Sequence, residues 1–459
     1  MKKSFIVLVI LLFSLSDGLT QTKFSAEQLK NDLDSLFLKM EYIHPNLYAY
    51  TSKNEIDEEL SLIKAEFKDS LNSIDFWLMT CPIVNNLHHG HTSITPQNSE
   101  ISKYLIKLQE TGFKYIPFSI IILDTSIYIR DIYTNSKAIQ PGNKITSING
   151  IKSSEILSKL IKYESGERKE YRLHYAEKKF IWNYPFHFPS PTYEIKYIDN
   201  GFEKTEFLDG ISEKETEKYF EKAYPEADKN YRNYKFRLAD KNTACIEYNA
   251  CVDYDNFRLF LDSAFTKMKK DKISNLIIDI RRNGGGDASL NSLLVAYLTE
   301  KPFYEYSKHV EKLTSYIRNT NEYYSQFKKD TTIERNTYVK SKTKNHLLFN
   351  GNVYVLTSIE TFSSGTQLAA LIKDYKLGII IGQETGGIPS CFGDHFDFVL
   401  RNTKTSIKVS YKWSLRPSGV YDNQGIIPDI ILNPSLTDIL TDKDKEMNYT
   451  LDYIKNHTR

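Results

Sequence analysis

The stretch Leu276-Ile-Ile-Asp-Ile-Arg-Arg-Asn-Gly-Gly-Gly-Asp287 decides the fold. An apolar run, short enough for a buried strand, ends in three consecutive glycines, and the helical pattern Ala288 to Thr299 follows. The same rhythm recurs on both sides. Ala244 to Tyr248 reads as a strand and Tyr254 to Lys270 as a helix. Val353 to Thr357 is a strand, Gly365 to Tyr375 a helix and Leu377 to Ile381 a strand. Strands alternating with helices from about residue 235 predict an α/β layer with largely parallel pairing. Residues 302 to about 350 are polar and rich in Tyr and Lys, which predicts a long insertion or lid.

Two other regions precede this layer. Residues 25 to about 105 are helical in pattern. Ser25-Ala-Glu-Gln28 is a capping box, and Leu29, Leu33, Leu36, Phe37 and Met40 then recur at helical spacing. His44-Pro45 ends that helix, and further amphipathic stretches run from Asn54 to about Phe67 and from Ile74 to Leu87. From about 113 to 207 the runs are short and β-rich, at 115–123, 126–131, 144–148 and 192–197. Pro141-Gly-Asn143 and Asn149-Gly150 mark turns between them, and a helix is expected over 153–163.

Bulk properties narrow the function. The 459 residues allow roughly two to four domains. With 60 basic and 58 acidic residues the net charge is +2, so there is no basic excess to favour nucleic acid as a partner. Lys2-Lys3, the apolar run Phe5 to Phe13 and the small polar residues to Gln21 read as a signal peptide, with an apolar run too short for the roughly 20 residues that span a bilayer. No membrane span is expected afterwards, and export to a periplasmic or extracellular space is. Cys81, Cys245, Cys251 and Cys391 form neither a disulfide framework nor a Cys-x-x-Cys site, although Cys245 and Cys251 lie close enough in sequence to pair.

Four segments carry chemistry. The glycine turn at 284–286 can present backbone amides to an anion or a transient oxyanion. Thr361-Phe-Ser-Ser-Gly-Thr-Gln367 places Ser363 and Ser364 where a strand turns into a helix; either hydroxyl can be a nucleophile or a helix cap. Leu87-His-His-Gly-His-Thr92 supplies His88, His89 and His91. It lacks the spacing of a tetrahedral zinc site, so neither a metal nor another cofactor is expected, whereas a histidine is the base that a nucleophilic serine needs. Arg416 to Asp429 is turn-rich and offers Asp422 and Asp429, the latter also suited to a local turn bond.

Taken in order, these segments resemble the C-terminal-processing (tail-specific) serine protease family, in the branch that includes the tricorn core protease. The family's Asp-x-Arg-x-Asn-x-Gly-Gly is similar to Asp279 to Gly286, and its Gly-Glu-x-Thr-x-Gly to Gly382-Gln-Glu-Thr-Gly-Gly387. Its Thr-x-Ser-Ser/Ala-x-x-Glu resembles Thr361 to Gln367, its Glu-x-x-Gly-x-x-Pro-Asp resembles Asp422 to Asp429, and its Asp-Gly-His-Thr resembles His89 to Thr92. Pro141 to Gly150 is similar to the Ile-x-x-Ile-Asn-Gly strand of PDZ domains, without their carboxylate-binding loop near Gly112 to Pro117.

The resemblance implies a multidomain α/β protein. A signal peptide (1–21) precedes an N-terminal helical domain (22–108), a PDZ-like module (109–207), a ClpP/crotonase-like α/β core (208–440) and a C-terminal tail (441–459). It implies a serine peptidase acting through an acyl-enzyme on peptides or unfolded proteins, with no stated oligomeric state. The three-residue spacing to Gln367 selects Ser364 over Ser363 as nucleophile. No lysine follows in Gly386-Gly-Ile-Pro-Ser390, so His91 is expected as base, with Asp422 orienting it. Gly365, Gly285 and Gly284 are expected to form the oxyanion hole. A relative that binds peptides or hydrophobic ligands without cleaving them is the alternative.

Overall fold

The computed structural model describes residues 21–223, 232–339 and 346–457. The proposed leader therefore lies almost wholly outside the described residues. The α/β expectation holds. A six-stranded sheet runs in the order 234–238, 243–248, 275–279, 352–357, 379–382 and 430–431, and every pairing after the first is parallel. The central strands are apolar on both faces because both faces are covered. Ile246, Ile278 and Val355 meet the helices Tyr254–Lys270, Ser289–Val295 and Ser364–Asp374 on one side. Cys245, Ile277 and Leu356 meet the helix Lys445–His457 on the other. The expected tail is thus a helix docked on the core, held where Arg281 bonds Asp444 and Glu446 at 2.6 and 3.2 Å.

That sheet also settles the cysteines. Cys245 points to the Lys445–His457 face and Cys251 into the opposite core, so the two do not pair. All four cysteines are free.

The N-terminal helices occupy Ala26–Ile43, Lys53–Glu66, Ser73–Asn86 and Asn98–Glu110. The Ser25 capping box forms as read, with Ser25 Oγ accepting from Gln28 N and Gln28 Oε1 accepting from Ser25 N. The β-rich module is a sheet in the order 118–123, 126–132, 144–148, 192–199 and 202–209, with its helices packed against one face. The segment expected as an insertion or lid contains an antiparallel hairpin, Phe303–Leu313 with Thr331–Val339, and its first strand pairs with Lys412–Leu415. The strand Cys391–Gly393 ends that sheet.

The helical region is stitched to the core by strand pairing and by buried hydrogen bonds. Ser93–Thr95, just after His91, pairs with Ser406–Val409. Asp32, 1% exposed, accepts hydrogen bonds from Asn402 Nδ2 (2.9 Å), Thr403 N (2.7 Å) and Thr403 Oγ1 (2.8 Å). Removing a buried acceptor strands its donors, so Asp32→Ala should cost about 3 kcal/mol, read as a lowered denaturation midpoint, with the module at 118–209 unaffected in its own spectrum.

Candidate active site

The glycine turn is built by one buried side chain. Asn283, fully buried, accepts from Gly285 N at 2.9 Å through Oδ1 and donates Nδ2 to the Tyr248 carbonyl at 2.9 Å. Its own carbonyl accepts from Phe362 N at 2.9 Å. One residue therefore ties together the ends of two strands and the turn holding the serines. Gly285 lies against that turn: a Cβ there would stand 2.6 Å from Ser363 Cβ, and its φ is +104°. No other residue type fits this close approach without strain.

The two serines diverge. Ser363 takes φ 51° and ψ −123° at the helix N-cap position, yet its hydroxyl makes no cap bond. Such a backbone is unfavourable for a residue with a Cβ and is characteristic of functional turns. The Ser363 hydroxyl instead lies 3.0 Å from His91 Nε2. Ser364, 6% exposed, points inward and donates to the Gly286 carbonyl at 2.6 Å. The expected pairing of Ser364 with His91 is therefore corrected: the structure brings His91 to Ser363. Gln367 lies one helical turn after Ser364 and faces the same buried side, where Gln367 Oε1 and the Ser364 carbonyl both accept from Asn291 Nδ2 at 2.6 Å. The spacing that pointed to Ser364 thus reads an internal hydrogen-bond network.

His91 is partly buried. The Phe362 ring stacks on it at 5.0 Å and 27°, and Tyr171 stacks on the far face of Phe362 at 4.7 Å and 12°. Burial lowers the imidazole pKa to about 4, so the ring is neutral at neutral pH. The charge of Asp394 opposes that shift, as does the nearby Phe392 carbonyl. Nδ1 is buried and makes no hydrogen bond.

The expected acid is placed elsewhere. Asp422 is exposed and its carboxylate accepts from Gln424 N, two residues on, at 3.4 Å. Asp429 makes structural bonds, to Lys373 at 2.6 Å and from Ile380 N at 2.8 Å. The carboxylate whose charge acts on His91 is Asp394, which sequence reasoning missed. It follows the strand Cys391–Gly393 and pairs with Lys412 at 2.6 Å. Lys412 in turn lies 3.7 Å from Glu311, whose side chain is fully buried. Burial works against ionisation of Glu311, but His309, Lys412 and Arg335 together lower its pKa to about 2. No motif covers Asp394, which lies just beyond the Gly386 to Ser390 segment.

Two of the three expected oxyanion donors, Gly365 and Gly285, need the same correction. Gly365 N donates to the Phe362 carbonyl at 2.9 Å, and Gly285 N is held by Asn283. The amide of Ser364, directly after Ser363, makes no hydrogen bond among the described residues, and neither does that of Gly284. Gly284 is exposed, with open space where a Cβ would stand.

The remaining histidines pack away from the serine. His89 is buried, its Nε2 2.8 Å from the Leu47 carbonyl, and its ring touches His44 and Phe392 at 4.2 and 5.0 Å. His88 is partly exposed at φ 57°. Among the described residues no three His, Cys, Asp or Glu side chains gather to hold a metal ion, and no helix is long and apolar enough to cross a membrane.

Residues 243–432 match the family model described as Peptidase family S41. Among solved structures the chain is similar to mature CPAF at 14% identity and TM-score 0.63, covering 95% of this chain and 99% of that one. It also matches the photosystem II D1 C-terminal processing protease at 13% identity and TM-score 0.44, covering 91% and 97%. At 14% identity the likeness to mature CPAF is one of fold. No curated protein sequence matches the chain. The glycine turn, both serines and the Asp422 to Asp429 segment all lie inside the matched residues, which supports a C-terminal-processing protease family and a serine-type peptidase.

Proposed function

We propose that the protein is exported and hydrolyses peptide bonds through an acyl-enzyme on Ser363, with His91 as general base. The observation that carries this reading is the 3.0 Å contact between His91 Nε2 and Ser363 Oγ. Neutral Nε2 takes the hydroxyl proton as Ser363 Oγ attacks the peptide carbonyl, and returns it to the leaving amine as the C–N bond breaks. Water activated by the same nitrogen then releases the acyl group. The amides of Ser364 and Gly284 are the donors free to meet the oxyanion; a donor of this kind is worth about 10²–10³ in rate. Asp394 takes the place first assigned to Asp422, stabilising the imidazolium through its charge. Support for export is the Lys2-Lys3 and Phe5 to Phe13 pattern, and support for a PDZ-like module is the Pro141 to Gly150 motif. Peptides and unfolded proteins are the proposed substrates.

Two outcomes are expected. Ser363→Ala should lower the hydrolysis of dye-labelled casein by about 10³-fold or more. Ser364→Ala loses only one internal hydrogen bond, near 1 kcal/mol, and should keep activity within about tenfold of wild type. The reverse ranking would return the nucleophile to Ser364. The pH dependence follows from His91. The base is competent while neutral, and its pKa lies at about 4, below the ordinary histidine value. Activity should therefore remain measurable at about pH 5 and vanish only as pH falls through about 4. Complete loss with a midpoint near 6.5 would show that His91 is solvated as an ordinary histidine.

A further inference from the structure

The segment Glu164 to Tyr171, which leads into the helix Lys169–Lys178 within the β-rich module, touches each of the three loops that make the serine site. Glu167 Oε1 accepts from Gly90 N, the residue before His91, at 2.9 Å. Arg168 donates to the Thr385 carbonyl and pairs with Glu384 at 2.8 Å, in the loop after Gly382. Tyr171 backs the Phe362 ring that stacks on His91. The fit around Gly90 is tight. A Cβ on that residue would stand 2.7 Å from both Glu167 Oε2 and Phe362 Cζ. The carboxylate and the aromatic ring thus close on the same small space beside the base, and only glycine leaves room for both.

We propose that Glu167 is a positioning residue of the peptidase: its carboxylate fixes the Gly90–His91 turn through the Gly90 amide and so holds the imidazole against the Ser363 hydroxyl. This rests on Ser363 and His91 being the nucleophile and base. Glu167 bonds the residue before the base and not the base itself, so its effect passes through the turn. A carboxylate accepting an amide N–H makes a charge-assisted bond, stronger than that of a neutral amide oxygen.

The groups facing Glu167 are the Tyr50 and Tyr171 hydroxyls and the Cys391 thiol. Burial raises the pKa of all three, so they are neutral throughout the working range. Arg168 is turned towards Glu384, and Glu164 is held by Lys179 at 2.6 Å. Burial also raises Glu167, against the opposing Gly90 amide, to about 7. A carboxyl with a raised pKa is protonated below about 7 and charged above it, so the charge-assisted bond that holds the Gly90–His91 turn is present above pH 7 and weakened on acidification.

The test uses the full chain and the rate of labelling by a fluorophosphonate, which reports base-assisted attack by the serine whatever the substrate preference. Wild type should show a partial step, the rate falling about tenfold as pH drops through 7, before the final loss near 4. Glu167→Gln keeps an acceptor for Gly90 but cannot ionise. It should label at the wild-type low-pH rate over the whole range, with no step at 7. Glu167→Ala should be slower than Glu167→Gln by about tenfold at each pH, because the turn is released. A step at 7 that survives in Glu167→Gln, or wild-type labelling by Glu167→Ala, would overturn the proposal. If Glu167→Ala does not fold, the Glu167→Gln profile decides alone. Labelling of Ser363→Ala at the wild-type rate would instead sink the underlying nucleophile assignment, independently of either Glu167 variant.

Discussion

The buried amide of Asn283 is the interaction on which the site depends. The strand Asn275–Asp279 runs on into a turn of three glycines, which have no side chains to fix it, so the turn's shape must come from hydrogen bonds. Asn283 supplies them in three directions: to the Gly285 amide, to the Tyr248 carbonyl and, through its own carbonyl, from the Phe362 amide. Thr361 adds a second tie, donating to the Ile280 carbonyl at 2.9 Å. Gly365 sits so close that a Cβ would meet the Asn283 carbonyl at 2.4 Å. These constraints hold Ser363 at a backbone angle it would not adopt alone, and they leave its hydroxyl free of any capping bond. Strain of this kind persists only when the surroundings over-determine it.

The α/β layer provides the serine and the amides but not the base. His91 comes from the helical region, carried in by the pairing of Ser93–Thr95 with Ser406–Val409 and steadied by Asp32 on the neighbouring turn. The module contributes a third wall through Glu167, Arg168 and Tyr171. The hairpin at 303–339 contributes Glu311, which approaches Lys412, the partner of Asp394. The site is thus assembled where separate parts of the chain meet, and the burial this creates keeps His91 neutral.

Much of this was legible in the sequence. Strand and helix periodicity located the core elements within a few residues, because buried parallel strands are apolar throughout and their helices amphipathic. The order of the motifs located the histidine and the serine pair. What the sequence could not show was direction. Two adjacent serines at a turn point to opposite sides, and the spacing to Gln367 followed the inward one, since residues one helical turn apart share a face. Asp422 stands in a family-like motif, yet its loop carries it into solvent, while Asp394, next to a paired strand far along the chain from His91, acts on it through its charge. Gly365 and Gly285 were chosen by residue type, but an amide is available only if its hydrogen bond is not already made. The polar, Tyr-rich run at 302–350 resembled a lid because its two strands bury only part of their surface.

The central claim is that one hydroxyl of the two is reactive. Mapping the covalent fluorophosphonate adduct on the wild-type chain by peptide mass spectrometry tests it most directly. Modification at Ser363 alone is the result expected from its contact with His91. Modification at Ser364, or no adduct on either serine, would contradict the account.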